Sequence, residues 1–152
     1  MKQTTLCYIE KDGAYLMLHR TKKENDENHD KWVGIGGKFE EGESPFDCIR
    51  REIKEETGLT AQKLLYRGII TFVSDLYGTE YMHLFTCSDF SGTICEYCDE
   101  GEPKWIKFEE INNLPIWEGD KIFFELLENE KRFFSLKLCY EGDNLVSHTL
   151  EY

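Results

Sequence analysis

The stretch that most constrains this chain runs from Gly37 to Leu59, GKFEEGESPFDCIRREIKEETGL. It reads as a loop feeding a helix. Ser44 is an N-cap type of residue, Pro45 falls at the first helical position, and Asp47 places a carboxylate in the first turn. Gly58 supplies the stop, because glycine takes the left-handed conformation that ends many helices. Between these signals Phe46, Ile49 and Ile53 recur at i, i+3 and i+7 and form one apolar stripe. Glu52, Glu55 and Glu56 lie beside it, within a sector of roughly 100° on one face. Glu52 and Glu56 are a like-charge pair one turn apart, an arrangement that weakens a bare helix. No Lys or Arg stands at i+4 from any of the three, so no local relief is expected. Carboxylates clustered in this way suit a hard divalent cation, which takes oxygen ligands. The competing reading is a solvated Glu-rich face, ordinary in a chain with 30 Asp and Glu.

The wider spacing separates the two readings. Gly37, Glu43, Arg51, Glu52, Glu55, Glu56 and Gly58, with Ile53 and Leu59 apolar, fit G-x5-E-x7-R-E-U-x-E-E-x-G-U at every position. This pattern resembles the Nudix box of the Nudix hydrolases, without departure. The resemblance implies an α/β fold, the α/β/α sandwich with a mixed sheet. It also implies that Glu52, Glu55 and Glu56 bind metal, with Glu52 the favoured general base and the Gly36 carbonyl a further ligand. Arg51 and Glu43 would form a structural ion pair holding the loop on the helix. The chemistry agrees. Cleaving a phosphoanhydride gathers negative charge on phosphate oxygens, which Mg²⁺ (or Mn²⁺) neutralises while orienting an attacking water. In the run Gly34-Ile-Gly36-Gly37-Lys38 the glycines let backbone approach metal and phosphate, and Lys38 can meet a phosphate as a point charge.

At 152 residues, one domain spanning 1–152 is expected. A net charge of -12 argues against a nucleic-acid polymer as partner, because phosphate neutralisation needs clustered cations. A mononucleotide delivered with Mg²⁺ stays compatible, since the metal reverses the local sign. No apolar run approaches the ~18 residues of a membrane span, and no signal-peptide pattern opens the chain. A cytoplasmic protein without membrane partners is therefore expected. Of six cysteines, Cys95 and Cys98 form a lone C-x2-C with no second pair at zinc spacing. Free thiols, buried or half-buried in a reducing compartment, are the better reading.

Along the chain, Thr4 to Glu10 and Ala14 to Arg20 read as strands joined by the turn signal Lys11-Asp12-Gly13. Thr21 to Lys31 is almost wholly polar and is expected to be a mobile loop. Trp32 to Phe39, Leu64 to Phe72, Tyr81 to Cys87 and Lys104 to Phe108 read as further strands, with a loop over Ser88 to Gly92. Glu109 to Leu114 reads as a short helical turn, and Asp120 to Asn129 as an amphipathic second helix. Phe133 to Tyr140 and Leu145 to Tyr152 form a closing hairpin.

The likeness extends past the box, through WVGIGGKFEEGE, Gly68, Phe72, His83-Leu-Phe85, Pro103-Lys-Trp105 and Leu114-Pro-Ile-Trp117-Glu-Gly-Asp120. Over this length the chain looks like the MutT-type triphosphatases that clear oxidised purine nucleotides, especially the 8-oxo-dGTP and 2-hydroxy-dATP hydrolases. That implies Trp117 stacking on the base, Asp120 bonding its edge, Glu100 approaching the metal, and Arg20 near the phosphates. Each has a plainer alternative. Trp117 could be core packing, Asp120 the cap of the second helix, Glu100 a solvated loop residue and Arg20 a surface strand end. Two positions depart from that branch: Val33 stands where it has an Asn, and Gly119 where it has a second Asp. Losing polar base-reading groups implies a changed or broader base preference.

The expected activity is Mg²⁺-dependent hydrolysis of an oxidised purine nucleoside triphosphate, such as 8-oxo-dGTP, to the monophosphate and pyrophosphate. The expected partner is that small nucleotide, with the protein a monomer or homodimer. The alternatives are another nucleoside diphosphate substrate (ADP-ribose or a nucleotide sugar) and a non-catalytic nucleotide-sensing module.

Overall fold

A computed structural model describes residues 1–21, 28–95 and 101–152. The chain order is β1 (Lys2–Lys11), β2 (Ala14–His19), β3 (Trp32–Val33), α1 (Pro45–Thr57), β4 (Thr60–Ser74), β5 (Gly78–Ser91) and β6 (Glu102–Lys107). A 3-10 helix (Phe108–Asn113), α2 (Asp120–Asn129), β7 (Phe134–Glu141) and β8 (Asn144–Glu151) complete it.

Alternation along the strands decides which residues face which layer. On β1 and β2, Cys7, Ile9, Leu16 and Leu18 point to one side and pack with Ile49 and Ile53 of α1. The intervening Tyr8, Tyr15 and Met17 point to the other side and pack with Phe123 and Leu127 of α2. The strands form an 8-stranded sheet in the order β3-β2-β1-β5-β4-β7-β8, with β6 also on β2. The β1–β5 and β4–β7 pairs are parallel and the other strand pairs antiparallel, so the sheet is mixed. Helices cover both faces, which is the α/β/α sandwich. Ile49 and Ile53 are 0% exposed, so truncating either to Ala should cost about 2–5 kcal/mol.

The β1–β2 turn takes its shape from Asp12 (φ 51°) and Gly13 (φ 76°), the paired left-handed residues of a tight hairpin. The closing hairpin also forms, and the helical turn after β6 is the 3-10 segment. Two expectations change. β4 and β5 are longer than the sequence pattern predicts, because Thr60 to Lys63 pairs with Asp89 to Ser91, so the expected loop at Ser88 to Gly92 is mostly strand. The expected strand Trp32 to Phe39 regularises only at Trp32–Val33 and then follows β1 by isolated bridges, Ile35 to Cys7 and Lys38 to Thr4. The glycines explain this. A Cβ on Gly36 would collide with the Thr5 carbonyl, and one on Gly34 would lie 2.9 Å from the Cys7 oxygen. The segment is pressed against β1 rather than spaced from it as a strand. Of the polar stretch Thr21 to Lys31, residues 22–27 lie outside the described residues.

Candidate active site

Helix α1 begins as its sequence requires. Ser44 Oγ accepts from the Asp47 amide (3.1 Å), and Asp47 Oδ2 accepts from the Ser44 amide (3.0 Å), which closes a capping box. Gly58, at φ 82°, stops the helix and donates its N–H to the Lys54 carbonyl. The preceding loop is stitched to β1 through Thr5 N–H to Gly37 O (2.9 Å) and Cys7 N–H to Ile35 O (2.6 Å). Loop and helix are thus fixed separately, and Arg51 ties them together. Its Nε and Nη2 donate to the two Glu43 oxygens at 2.7 and 2.9 Å, and Nη2 also donates to the Lys38 carbonyl at 3.0 Å. Hydrogen bonding to Arg51 holds the Glu43 carboxyl down at about 2, and the same bonds raise the Arg51 guanidinium.

Arg51 also corrects an expectation about the glutamates. Its Nη1 donates to Glu52 (2.7 Å) and to Glu55 (3.2 Å), four residues further on, so local relief exists and comes from the N-terminal side. Glu52 and Glu56 are buried at 9% and 8% exposure, whereas Glu55 is exposed. The Glu52 carboxylate lies against Gly37, where a Cβ would come within 2.7 Å of its Cδ. Gly37 therefore leaves the room that this carboxylate occupies.

A cleft of about 800 Å³ runs from this point across the sheet face that α2 covers. Its lining includes Arg20, Gly36, Gly37, Lys38, Arg51 and Glu52, and also Val33, Phe72, Met82, Trp117 and Asp120. Of the candidate site residues, Glu55 and Glu56 sit on α1 but not on the cleft wall. Glu100 and the Cys98 half of the C-x2-C lie outside the described residues. Cys7, Cys48 and Cys87 are buried free thiols, and Cys95 and Cys139 are half-buried.

Two alternatives resolve at the far end. Trp117 is 5% exposed and belongs to the core cluster, yet it also lines the cleft, so packing and a cleft-wall position coexist. Its ring meets Phe72 and Tyr140 nearly edge-on, at 5.1 and 5.0 Å, and the Lys31 ammonium lies 4.6 Å from its centroid. Asp120 is not the cap of α2. Gly119 holds the N-cap position without a side-chain cap bond, and Asp120 is the first helical residue, 7% exposed. Burial pushes its carboxyl up to about 8, against lowering pulls from Lys31 and a hydrogen bond from the Trp117 backbone. Gly119 has a steric reason as well. A Cβ there would lie 2.7 Å from the Tyr140 hydroxyl and collide with Leu138, while the Gly119 N–H donates to that hydroxyl at 2.7 Å.

Tyr8 and Asn28 are cleft residues that the sequence did not single out. Tyr8 shows only as an alternating strand residue, and Asn28 sits in a polar run without periodicity. Neither carries a local signal.

A divalent metal fits the donor chemistry here: oxygen-only side chains on one helix face, with Glu52 cradled against backbone that lacks a Cβ. The donors are not pre-gathered, since among the described residues no three His, Cys, Asp or Glu groups converge on one point. Arg51 holds Glu52 and Glu55 instead. Among the described residues, no helix is long and apolar enough to cross a membrane.

Comparison with known proteins agrees with this geometry. The NUDIX domain family matches residues 2–127. An oxidized purine nucleoside triphosphate hydrolase from Danio rerio is 33% identical over 153 residues, covering 99% of this chain and 94% of that protein. A protein of the same description from Mus musculus is 32% identical, covering 79% of this chain and 77% of its own length. The crystal structure of a MutT mutator protein from Bacillus halodurans matches with a TM-score of 0.87 at 28% identity, covering 99% of this chain and 98% of that one. With the box intact, its loop and helix tied by Arg51, and the family match spanning most of its length, the chain is a member of the Nudix hydrolase family, of the MutT type.

Proposed function

We propose that this chain is a Mg²⁺-dependent pyrophosphohydrolase of purine nucleoside triphosphates, oxidised ones such as 8-oxo-dGTP foremost, yielding the monophosphate and pyrophosphate. The observation that carries this reading is one cleft lined both by Glu52 and by Trp117 with Asp120. Its volume of about 800 Å³ suits one nucleotide. The relatives described as oxidized purine nucleoside triphosphate hydrolases support the substrate class.

In this reading the phosphates lie over Gly36 to Lys38, where backbone lacking side chains admits them and Lys38 and Arg20 offset their charge. Glu52, Glu55 and Glu56, with the Gly36 carbonyl, would hold the metal, and Glu100 would join them. When bound, Mg²⁺ supplies charge neutralisation on the phosphate oxygens and a more acidic water. Glu52 accepts the proton of the attacking water, being the glutamate on the cleft wall. Arg51 keeps the loop and helix in register through Glu43 and shares Glu52 until substrate arrives. Trp117 stacks on the base, held at its edges by Phe72 and Tyr140, and Asp120 bonds the base edge.

A second reading, another nucleoside diphosphate derivative such as ADP-ribose, is favoured by Val33 and Gly119, which leave the base end poorer in polar readers. Product-resolved turnover of 8-oxo-dGTP, 2-hydroxy-dATP, normal dNTPs and NTPs, ADP-ribose and nucleotide sugars in Mg²⁺ separates the two. Oxidised triphosphates going fastest to monophosphate plus pyrophosphate is the expected result. Faster cleavage of ADP-ribose or a nucleotide sugar would overturn it.

A further inference from the structure

A carboxylate stands on the cleft wall away from α1. Glu80, half-buried near the start of β5, lines the cleft together with Lys38, Thr4, Phe72 and Trp117. Contacts put these five in a row. Lys38 pairs with Thr4 of β1 through an isolated bridge, and the Thr4 hydroxyl donates to Glu80 Oε2 at 2.7 Å. Glu80 in turn stands directly opposite Phe72 of β4, whose ring meets Trp117 at 5.1 Å. β1, β5 and β4 are neighbours in the sheet, so the row crosses two strand spacings from Thr4 to Phe72, roughly 10 Å. Glu80 therefore lies between the lysine that would meet the phosphates and the ring that would stack on the base.

Its carboxylate is held ready. Thr4 is 8% exposed and gives its single hydroxyl proton to Oε2, which fixes the Glu80 side chain against β1. Among the described residues nothing donates to Oε1. A carboxylate accepts hydrogen bonds and repels phosphate, so the part of a nucleotide that suits it is a neutral donor. Between triphosphate and base, the neutral donors of a nucleotide are the hydroxyls of its sugar. Lys2 is the register partner of Glu80 on β1 and lines the cleft too, a cation that lessens repulsion toward an incoming triphosphate.

We infer that Glu80 binds the sugar of the substrate, accepting a hydrogen bond from a ribose or deoxyribose hydroxyl. This rests on the cleft being a nucleotide site. The substrate class then extends to ribonucleoside triphosphates, whose sugars carry two hydroxyls, and narrows against sugars that carry none.

The test uses the full chain with Mg²⁺ and three guanine nucleotides that share base and phosphates. GTP, dGTP and dideoxy-GTP carry two, one and no sugar hydroxyls. In the wild type kcat/KM should fall by roughly tenfold or more at one of the two steps, since a hydrogen bond to a charged acceptor has that size. Glu80→Ala should flatten that step to within about twofold. Glu80→Gln keeps an oxygen for Thr4, so it should fold as the wild type does and shrink the step severalfold through loss of the charge. Ratios within one variant cancel any general change in activity or phosphate affinity. A wild type that cleaves all three alike would overturn the inference while leaving the hydrolase reading intact. A step that persists undiminished in Glu80→Ala, or in Glu80→Gln should the alanine variant not fold, would also overturn it, leaving Glu80 only a tie between β5 and Thr4. No turnover of any of the three by the wild type, with ADP-ribose or a nucleotide sugar cleaved instead, would remove the nucleoside triphosphate reading and this inference with it.

Discussion

Around Glu52 the side chains are placed by backbone: a capped helix, a loop stitched to β1, and glycines that leave room where a Cβ would intrude. Around Trp117 they are placed by other side chains: Phe72, Tyr140, and Lys31 with Asn28, which come from three separate parts of the chain. The first construction tolerates almost no change, because a shifted backbone moves every side chain it carries at once. The second can exchange partners, as the resemblance implies for Val33 and Gly119. A cleft built this way holds its chemistry constant while its base preference drifts.

The adjacent glycines offer the largest expected effects. Gly36→Ala drives a Cβ into the Thr5 carbonyl, a backbone atom that cannot yield, so the loop must leave β1 and several kcal/mol of stability should go with it. In Gly37→Ala the nearest atoms the new Cβ meets are those of the Glu52 carboxylate, a movable group, so the fold should survive and turnover should drop by about a hundredfold through misplacement. Thermal unfolding and initial rates on both variants check this. Equal loss of stability in the two would break the distinction between a backbone contact and a side-chain cradle.

Asp120 gives the next effect. Its folded-state value of about 8 lies above the ordinary carboxylate range, so the folded protein binds this proton more tightly than the unfolded chain. Its contribution to stability is fully present below about pH 4 and is lost as pH rises through about 8. Asp120→Asn removes that slope. The melting temperature of the variant relative to wild type should therefore climb between pH 5 and pH 9, by an amount corresponding to a few kcal/mol. A constant difference across that range would mean the carboxylate is ion-paired rather than buried, and the base end would be as polar as the phosphate end.

Val33→Asn should have the smallest effect. An amide restored beside Gly34 should raise kcat/KM for oxidised purines over normal ones by roughly tenfold. An unchanged ratio would show that position 33 does not face the base.

The same contrast explains what could be read from the sequence. The cap at Ser44, the stop at Gly58 and the apolar stripe through Ile49 and Ile53 are short-range signals, and the structure reproduces them. The Glu43–Arg51 pair was implied by the resemblance of the box to that of the Nudix hydrolases, and the structure forms it. The relief that Arg51 gives Glu55 was not expected, since it comes from four residues upstream of the glutamate rather than downstream. The cap was the plainer alternative for Asp120 because aspartate so often is one, and its burial depends on packing that no local pattern reports. Asn28 and Tyr8 reach the cleft through tertiary placement, Asn28 through a bond to a residue 89 positions away.

The central claim is that the carboxylates of α1 set the rate and the far end of the cleft sets the choice of base. The most direct measurement is kcat/KM for 8-oxo-dGTP and for dGTP in the wild type and in Glu56→Gln, under saturating Mg²⁺. Glu56 is on α1 and off the cleft wall, so its loss should lower both values by the same factor, roughly a thousandfold, and leave their ratio unchanged. A variant that keeps its turnover, or one whose ratio moves with its rate, would contradict the account.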